Sequence, residues 1–504
     1  MNYYCALDLG TTGCRTIVFD EQGKEVSRHY EEWVSFFPSP VMVEQDANLW
    51  WKALKTTIKV ALKKGKVKPR NIKSVAITNQ RETIVPVDRD GNPLHNAIVW
   101  QDRRTTDECN FIKRKIGPDK IYSKTGLTID PYFSSSKIMW IKNNKPEIYQ
   151  NTHKFLLVHD FIVMKLTGKW MTDYSNASRT MLFNINTLKW DEEIASNLNL
   201  DLDKMPDAIA SGTPISPITT KDTAFEKETI VIAGGGDQQC AALGVGVSQE
   251  GRTKCTTGTG SFILGFLNSP KFDPQKRVLC SCHTVPGAWV QEASIFTTGS
   301  AYRWVRDIMC TGEKQLASKQ NVDPYEIMNE LAARSPVGAN RLLFIPHMVG
   351  AGAPHWNPNA RGVFLGLALG HERKDLLRSV LEGTCYEVKK NIDVFEELGS
   401  HISELRVTGG GSRSDVWNQI MADVLNIPCG RGELEESTAV GAAILASYGV
   451  GDYKNIIDAA EKIANISKKW IPDPDAVQKY EKLYKIAKEL YAKIANSGIW
   501  EELL

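Results

Sequence analysis

Net charge is what this chain has least of: 61 basic and 59 acidic side chains in 504 residues leave a formal +2. So weak a field gives no global attraction for nucleic acid or an anionic membrane, and leaves room only for local anion sites. Long hydrophobic runs are missing as well, and no uninterrupted apolar stretch is long enough to cross a bilayer. The beginning, MNYYCALDLGTTG, lacks the basic start, apolar core and small-residue cleavage site of a secretory signal. Close cysteine pairs are scarce. Of ten cysteines only Cys280 and Cys282 lie near one another, and a single intervening residue makes neither a zinc CxxC pair nor a thioredoxin-like motif. The expectation is a cytoplasmic chain whose cysteines stay reduced and pack.

What is present is an ordinary globular composition, 42% hydrophobic and 24% charged, long enough for two or three domains. The chain opens with an apolar strand, YYCALDLG, a glycine-threonine turn and a second strand, RTIVFD. Thr253 to Phe266, TKCTTGTGSFILGF, echoes that pattern near mid-chain. Between the echoes, Leu49 to Gly65 places Leu49, Trp50, Ala53, Leu54, Ile58, Ala61 and Leu62 on one helical stripe, with Asp46 or Asn48 as N-cap and Gly65 as stop. Val75 to Thr78 and Ala97 to Trp100 read as short buried strands. Asp375 opens a helix through Leu398, LRVTGG follows as a strand, and Ser414 to Leu425 resumes a helix. This alternation predicts α/β domains with parallel strands. The expected boundary lies near Gly246 to Gly251, giving domains 1–246 and 247–504. No low-complexity or long charged linker intervenes, so the domains should pack around a cleft.

Three turns carry candidate chemistry. In DLGTTGCR, residues Asp8, Gly10, Thr11, Thr12, Gly13 and Arg15 offer backbone donors, hydroxyls and a guanidinium to a phosphate, and a carboxylate to Mg²⁺; the alternative is a hairpin that needs glycine to turn. The glycine spacing fits neither GxxxxGK[ST] nor GxGxxG. In IVIAGGGDQQCAAL, Asp237 stands between a strand and a helix start, where a carboxylate is favoured as the anion and can act as a base, or can simply cap the helix. In VTGGGSRSD, Gly409 to Gly411 can let a nucleotide lie against the backbone, or can be a ligand-free connection. A fourth stretch, AITNQRET, sets Arg81 beside Glu82 where a strand ends. That pair can grip adjacent hydroxyls of a polyol, or be a plain ion pair. Trp100, Tyr132 and Phe262 sit beside polar or glycine-rich text, with core packing as the default.

In combination these motifs resemble the FGGY carbohydrate kinases, within the larger group of actin-like, sugar kinase and chaperone ATPases. YFSSSKIMWIKNN from Tyr132 resembles the family's first signature, and GVFLGLALGHERKDLLRSVLE, from Gly362 to Glu382, its second. DLGTT, ITNQRET, NAIVWQDRRT, TGLTIDPYFS, TDYSNASRTMLFN and GDQQ resemble the glycerol kinases of the family. The second half is more similar to xylulose kinases, and Leu9, Arg303 and Ser414 depart from the glycerol kinase pattern. The resemblance implies an α/β fold of two actin-like, ribonuclease H-like ATPase domains around a central cleft. It implies an ATP- and Mg²⁺-dependent kinase of a small polyol, without nucleic-acid or membrane partners, forming homodimers or tetramers. Carried over by position, Arg81, Glu82, Trp100, Tyr132, Asp237, Gln238 and Phe262 would bind the acceptor, with Asp237 as general base. Thr11, Thr12, Gly13, Arg15, Thr259, Gly299, Gly410 and Ser414 would meet ATP, and Asp8 the metal.

Overall fold

A computed structural model describes residues 2–503. Two mixed sheets organise it. The first runs in the order Pro214–Pro217, Ile230–Gly236, Ile72–Asn79, Tyr3–Leu9, Gly13–Asp20, Glu25–Glu32. The second runs Leu279–Cys282, Trp289–Ile295, Ser261–Leu267, Gly251–Thr257, Ile402–Thr408, Cys429–Gly432, Ile466–Trp470. The echo seen in the sequence is an echo of topology. Tyr3–Leu9 pairs antiparallel with Gly13–Asp20 and parallel with Ile72–Asn79. Gly251–Thr257 likewise pairs antiparallel with Ser261–Leu267 and parallel with Ile402–Thr408.

The opening strand is apolar on both faces because both are covered. Side chains alternate along a strand, so Cys5, Leu7 and Leu9 enter one core with Trp50, Leu54 and Ile58 of the helix Ala47–Lys64. Tyr4 and Ala6 enter another, with Val440 and Ile444 of the helix Ser437–Gly449. Asp46 caps the first of these helices by accepting from Asn48 N, as its sequence pattern predicts. At the sheet edge, Glu25–Glu32 alternates half-buried with exposed residues, the pattern of a strand wet on one side. The second sheet packs Cys255, Ile263 and Leu405 against Leu377, Val380 and Trp417.

The two halves interlock through two helices. Ser437–Gly449 belongs by sequence to the second half, yet Ser74 Oγ of the first sheet donates to Ala446 O at 2.8 Å. The core it shares includes Leu243 of the helix Asp237–Gly244 and Leu264 of the second sheet.

Three local expectations need correction. Ala97 to Trp100 is a strand only over Ala97–Ile98, because Asp102 N turns back to Val99 O and Trp100 N bonds to Thr83 Oγ1. The helix expected from Asp375 starts at Arg373; Asp375 is its third residue and accepts from Glu372 N at 2.9 Å. Ser414 is the N-cap of Asp415–Leu425 rather than its first residue. All ten cysteines are free and buried.

Candidate active site

The strand Ile72–Asn79 ends where the chain bends sharply: Gln80 N reaches Leu9 O, Thr83 N reaches Arg81 O, and Glu82 adopts φ +62°. A left-handed glutamate is strained by about 1–3 kcal/mol, and here the bend sends Arg81 and Glu82 into the space between the sheets. Neither is a surface ion pair. Arg81 Nη1 and Nη2 donate to the two Glu292 oxygens at 2.8 and 2.9 Å, and Nη1 also donates to Gln239 Oε1 at 3.2 Å. A guanidinium has five N–H groups, so one Nη2–H and the Nε–H remain, the latter group 3.4 Å from Asp237 Oδ1. Glu82 Oε1 accepts from Arg179 Nε at 2.6 Å, and Arg179 also reaches Glu292 and Ser281.

Asp237 is the first residue of its helix, after Gly236 as N-cap, and its Oδ1 accepts from Gln238 N at 2.7 Å. The glycines before it are required by packing. A Cβ on Gly236 would lie 2.6 Å from Arg81 Cδ, and one on Gly234 would lie 1.6 Å from Ile77 O. The space Gly236 clears beside the carboxylate is the space Arg81 fills, while Gly234 lets the strand lie against Ile77. At the helix start, burial raises the Asp237 pKa above that of a free aspartate, while Arg81 and the Gln238 N–H pull it down. Buried Lys254 donates to Gln238 Oε1 at 2.8 Å, and burial pushes its ammonium down to about 8. Burial opposes the charge on Glu292 too, but Arg179 and Arg81 prevail and bring it down to about 2.

The aromatic wall forms beside this cluster. Trp100 and Tyr132 meet edge to face at 5.5 Å, and Trp100 Nε1 donates to Thr11 Oγ1 at 3.0 Å. Buried Lys137 ties down the Tyr132 carbonyl at 2.8 Å. Phe262, half-buried, packs against the core shared by the two halves.

The first hairpin stands between this cluster and a cavity of about 290 Å³. Thr11 faces Trp100. Thr12 Oγ1 lies 3.2 Å from the Tyr30 hydroxyl, and Gly13 lies under the same ring, where a Cβ would come 2.7 Å from that hydroxyl. Arg15 Nε lies 3.4 Å from Asp8 Oδ2, while its Nη1 bonds Glu436 on the cavity wall. Asp8 is raised from 3.8 to about 7, chiefly by burial; Asp237 and Glu436 add to the rise and Arg15 opposes it. The cavity is lined by Gly409, Gly410, Ser412, Arg431 and the loop Glu433 to Glu436. Ser414 does not line it; its hydroxyl accepts from Trp417 N. Thr259 lies on the turn of the second hairpin and Gly299 opens the helix Gly299–Met309 packed against that turn, where Thr259 O accepts from Thr298 N and Ser300 N.

The profiles of the FGGY family of carbohydrate kinases match residues 3–244 with the N-terminal domain and 253–450 with the C-terminal domain. The chain belongs to this family. A glycerol kinase of Lactobacillus acidophilus is 36% identical over 493 residues, 96% of each chain. One from Thermococcus gammatolerans is 38% identical over 493 residues, 97% of each. Plasmodium falciparum glycerol kinase with ADP superposes with a TM-score of 0.87 at 26% identity, covering 97% of this chain and 98% of that one. A ligand-bound xylulose kinase of Lactobacillus acidophilus reaches 0.91 at 24% identity over both whole chains, which speaks for the fold alone. This FGGY kinase is therefore a two-domain α/β protein of the actin-like ATPase fold, an ATP-dependent carbohydrate kinase with a small-molecule acceptor. Among the described residues no helix is long and apolar enough to cross a membrane.

The residues that sequence reasoning missed are Arg179, Lys254, Glu292 and Glu436. The first three had a signal: each is a charge set among small or apolar neighbours, and Lys254 and Glu292 lie within strands. A charge so placed is buried and must find a partner.

Proposed function

We propose that the kinase phosphorylates a primary hydroxyl of glycerol, with residues 1–246 binding the acceptor and 247–504 the nucleotide. The observation that carries this reading is the convergence of Arg81, Glu82, Trp100, Tyr132, Asp237 and Gln238 at one end of the first hairpin. Spare donors on Arg81 and the carboxylates beside it suit vicinal hydroxyls, and the ring edges of Trp100 and Tyr132 suit a short carbon skeleton.

In the transfer the acceptor oxygen forms a bond to the γ-phosphorus as the bond to the bridging β–γ oxygen breaks, and Asp237 takes the hydroxyl proton. Such transfers depend mainly on positioning and charge stabilisation, so the base acts late. Arg15 is placed between the two ends to meet phosphoryl charge once it leaves Glu436. Asp8, raised chiefly by burial and with Asp237 and Glu436 near it, is an oxygen-rich site whose cation, Arg15, is shared with Glu436, and this fits a hard cation such as Mg²⁺ held by few carboxylates and several waters. Bound there, Mg²⁺ supplies charge neutralisation for the β- and γ-phosphates. Closure of the halves around the reactants excludes water.

The test is ADP release with no acceptor, with glycerol, and with a panel of polyols and ketoses. Glycerol should give the highest kcat/KM. A higher value for xylulose would mean that the second-half motifs are the better guide to the acceptor.

A further inference from the structure

Far along the chain from the acceptor motifs, three unpartnered donor atoms converge. His347 follows the strand Leu343–Ile345, His355 lies further along the same loop, and Glu387 sits mid-way along the helix Arg373–Glu397. His347 and Glu387 are 3% and 2% exposed. His347 Nε2, His355 Nε2 and Glu387 Oε2 are each buried without a hydrogen-bond partner. Both imidazole nitrogens point at the same carboxylate oxygen, at 3.6 and 3.8 Å, and all three atoms lie within 4.8 Å of one another. Leaving three such atoms unpaired is costly. Two ligands at about 2.1 Å from a tetrahedral ion are about 3.4 Å apart, so the observed spacing is that of ligands around a small cation.

We propose that His347, His355 and Glu387 form a binding site for a zinc-class divalent cation, outside the phosphoryl-transfer cleft. Two imidazoles and a carboxylate are a donor set that zinc takes readily, with a fourth position left for water. The surroundings hold the ligands in place. His355 stacks on Tyr491 at 3.5 Å with 19° between the rings, and His347 meets the same ring edge-on at 5.3 Å. Lys390 donates to Glu387 Oε1 at 2.7 Å, which leaves Oε2 as a single ligating oxygen. Protonation is also in the ligating state: burial lowers His347 and pushes His355 down to about 3, while Lys390 holds Glu387 down to about 2 against its burial. The nearby ammonium weakens cation binding, so the affinity is moderate rather than extreme.

The site's role is to pin the loop to the helix. Ala353 of that loop donates from its N–H to Ser294 O at 2.9 Å, two residues past Glu292 on the strand Trp289–Ile295. Loading should stabilise this face of the second half, because a ligand bound to the folded state alone raises its stability.

The full chain, stripped with a chelator and desalted, is titrated with Co²⁺ and then Zn²⁺. The expected result is one Co²⁺ per chain with visible ligand-field bands from nitrogen and oxygen ligands, displacement by one Zn²⁺, and a Tm that rises by several degrees. His355→Ala and Glu387→Gln should each lose the bands and the shift, while His29→Ala, at a separate surface histidine-glutamate pair, keeps both. His355 is the more exposed ligand, so its variant serves if Glu387→Gln does not fold. Absence of saturable one-equivalent binding to the unmodified chain would overturn the proposal, as would binding that survives His355→Ala.

Discussion

Arg81 and Glu292, 211 residues apart, form a buried two-pronged ion pair that joins the two halves of the chain, at 2.8 and 2.9 Å. Arg179 reaches the same carboxylate at 3.1 Å. The residue that would grip the acceptor is thus held from the opposite domain, and its position depends on how the halves meet. Three buried cations, Arg81, Arg179 and Lys254, are balanced by Glu82, Asp237 and Glu292. The balance explains how so many charges are tolerated together where five of the six are buried and only Asp237 is partly exposed.

Glu292→Gln keeps the shape and removes one of the three negative charges. Leaving buried cations uncompensated costs about 3–5 kcal/mol, so the variant should melt several degrees lower. With Arg81 less firmly held, the acceptor KM should rise more than the ATP KM. Thermal denaturation and initial rates measure both, and unchanged values would remove the fork from the positioning of Arg81.

The fold was legible wherever a local pattern was also the global one. The two Thr/Gly hairpins, the Asp46-capped helix and the strand before Asp237 could be read from periodicity and turn residues alone. Glu82 shows the limit. Nothing local reveals that a glutamate will occupy a left-handed conformation, or that its neighbour will be taken by a carboxylate 211 residues on. Ser414 shows another: its hydroxyl suits a phosphate and a helix cap equally well, and only the following helix determines that it caps.

Asp237→Asn should leave the fold intact and reduce kcat by about 100-fold to 10,000-fold, the usual range for a lost general base. Burial raises the Asp237 pKa, and the base works only when ionised. The kcat/KM of the unmodified enzyme at saturating Mg²⁺ should therefore fall as pH drops, with a midpoint above that of a free aspartate. A pH-rate profile tests this; turnover within threefold of normal in a folded Asp237→Asn protein would remove the residue from the mechanism.

Asp8 makes a separate pH prediction. With its pKa raised from 3.8 to about 7, the carboxyl is largely protonated below neutrality in the ligand-free protein, and a cation must displace that proton. The apparent Mg²⁺ requirement should rise as pH falls from 8 to 6, and Mg²⁺ binding near pH 7 should release a proton, measurable by calorimetry in two buffers. The sign for stability is the opposite of that for a salt-bridged aspartate. A raised folded pKa contributes stability that is present below the unfolded value and lost as pH rises through about 7. Asp8→Asn should therefore raise Tm at pH 8, leave it nearly unchanged at pH 4, and still abolish most activity. A lower Tm at pH 8 would mean that Asp8 is stabilised by partners that outweigh its burial.

Two glycine substitutions separate the acceptor end from the nucleotide end. In Gly236→Ala the new Cβ would lie 2.6 and 2.7 Å from Arg81 Cδ and Cγ. That stem cannot swing aside, because its tip is held by Glu292, so either the guanidinium or the helix start bearing Asp237 must shift. Overpacking of this kind costs about 1–3 kcal/mol, and a displacement approaching 1 Å at the reacting groups costs up to about 100-fold in rate. The acceptor kcat/KM should fall by about that factor while the ATP KM holds. A Cβ on Gly410 meets nothing within 4 Å, so Gly410→Ala should leave Tm and the acceptor KM unchanged. Because Gly410 lines the cavity beside Glu436, it should raise the ATP KM instead. If both variants altered the same substrate's KM, acceptor and nucleotide would not occupy opposite ends of the first hairpin.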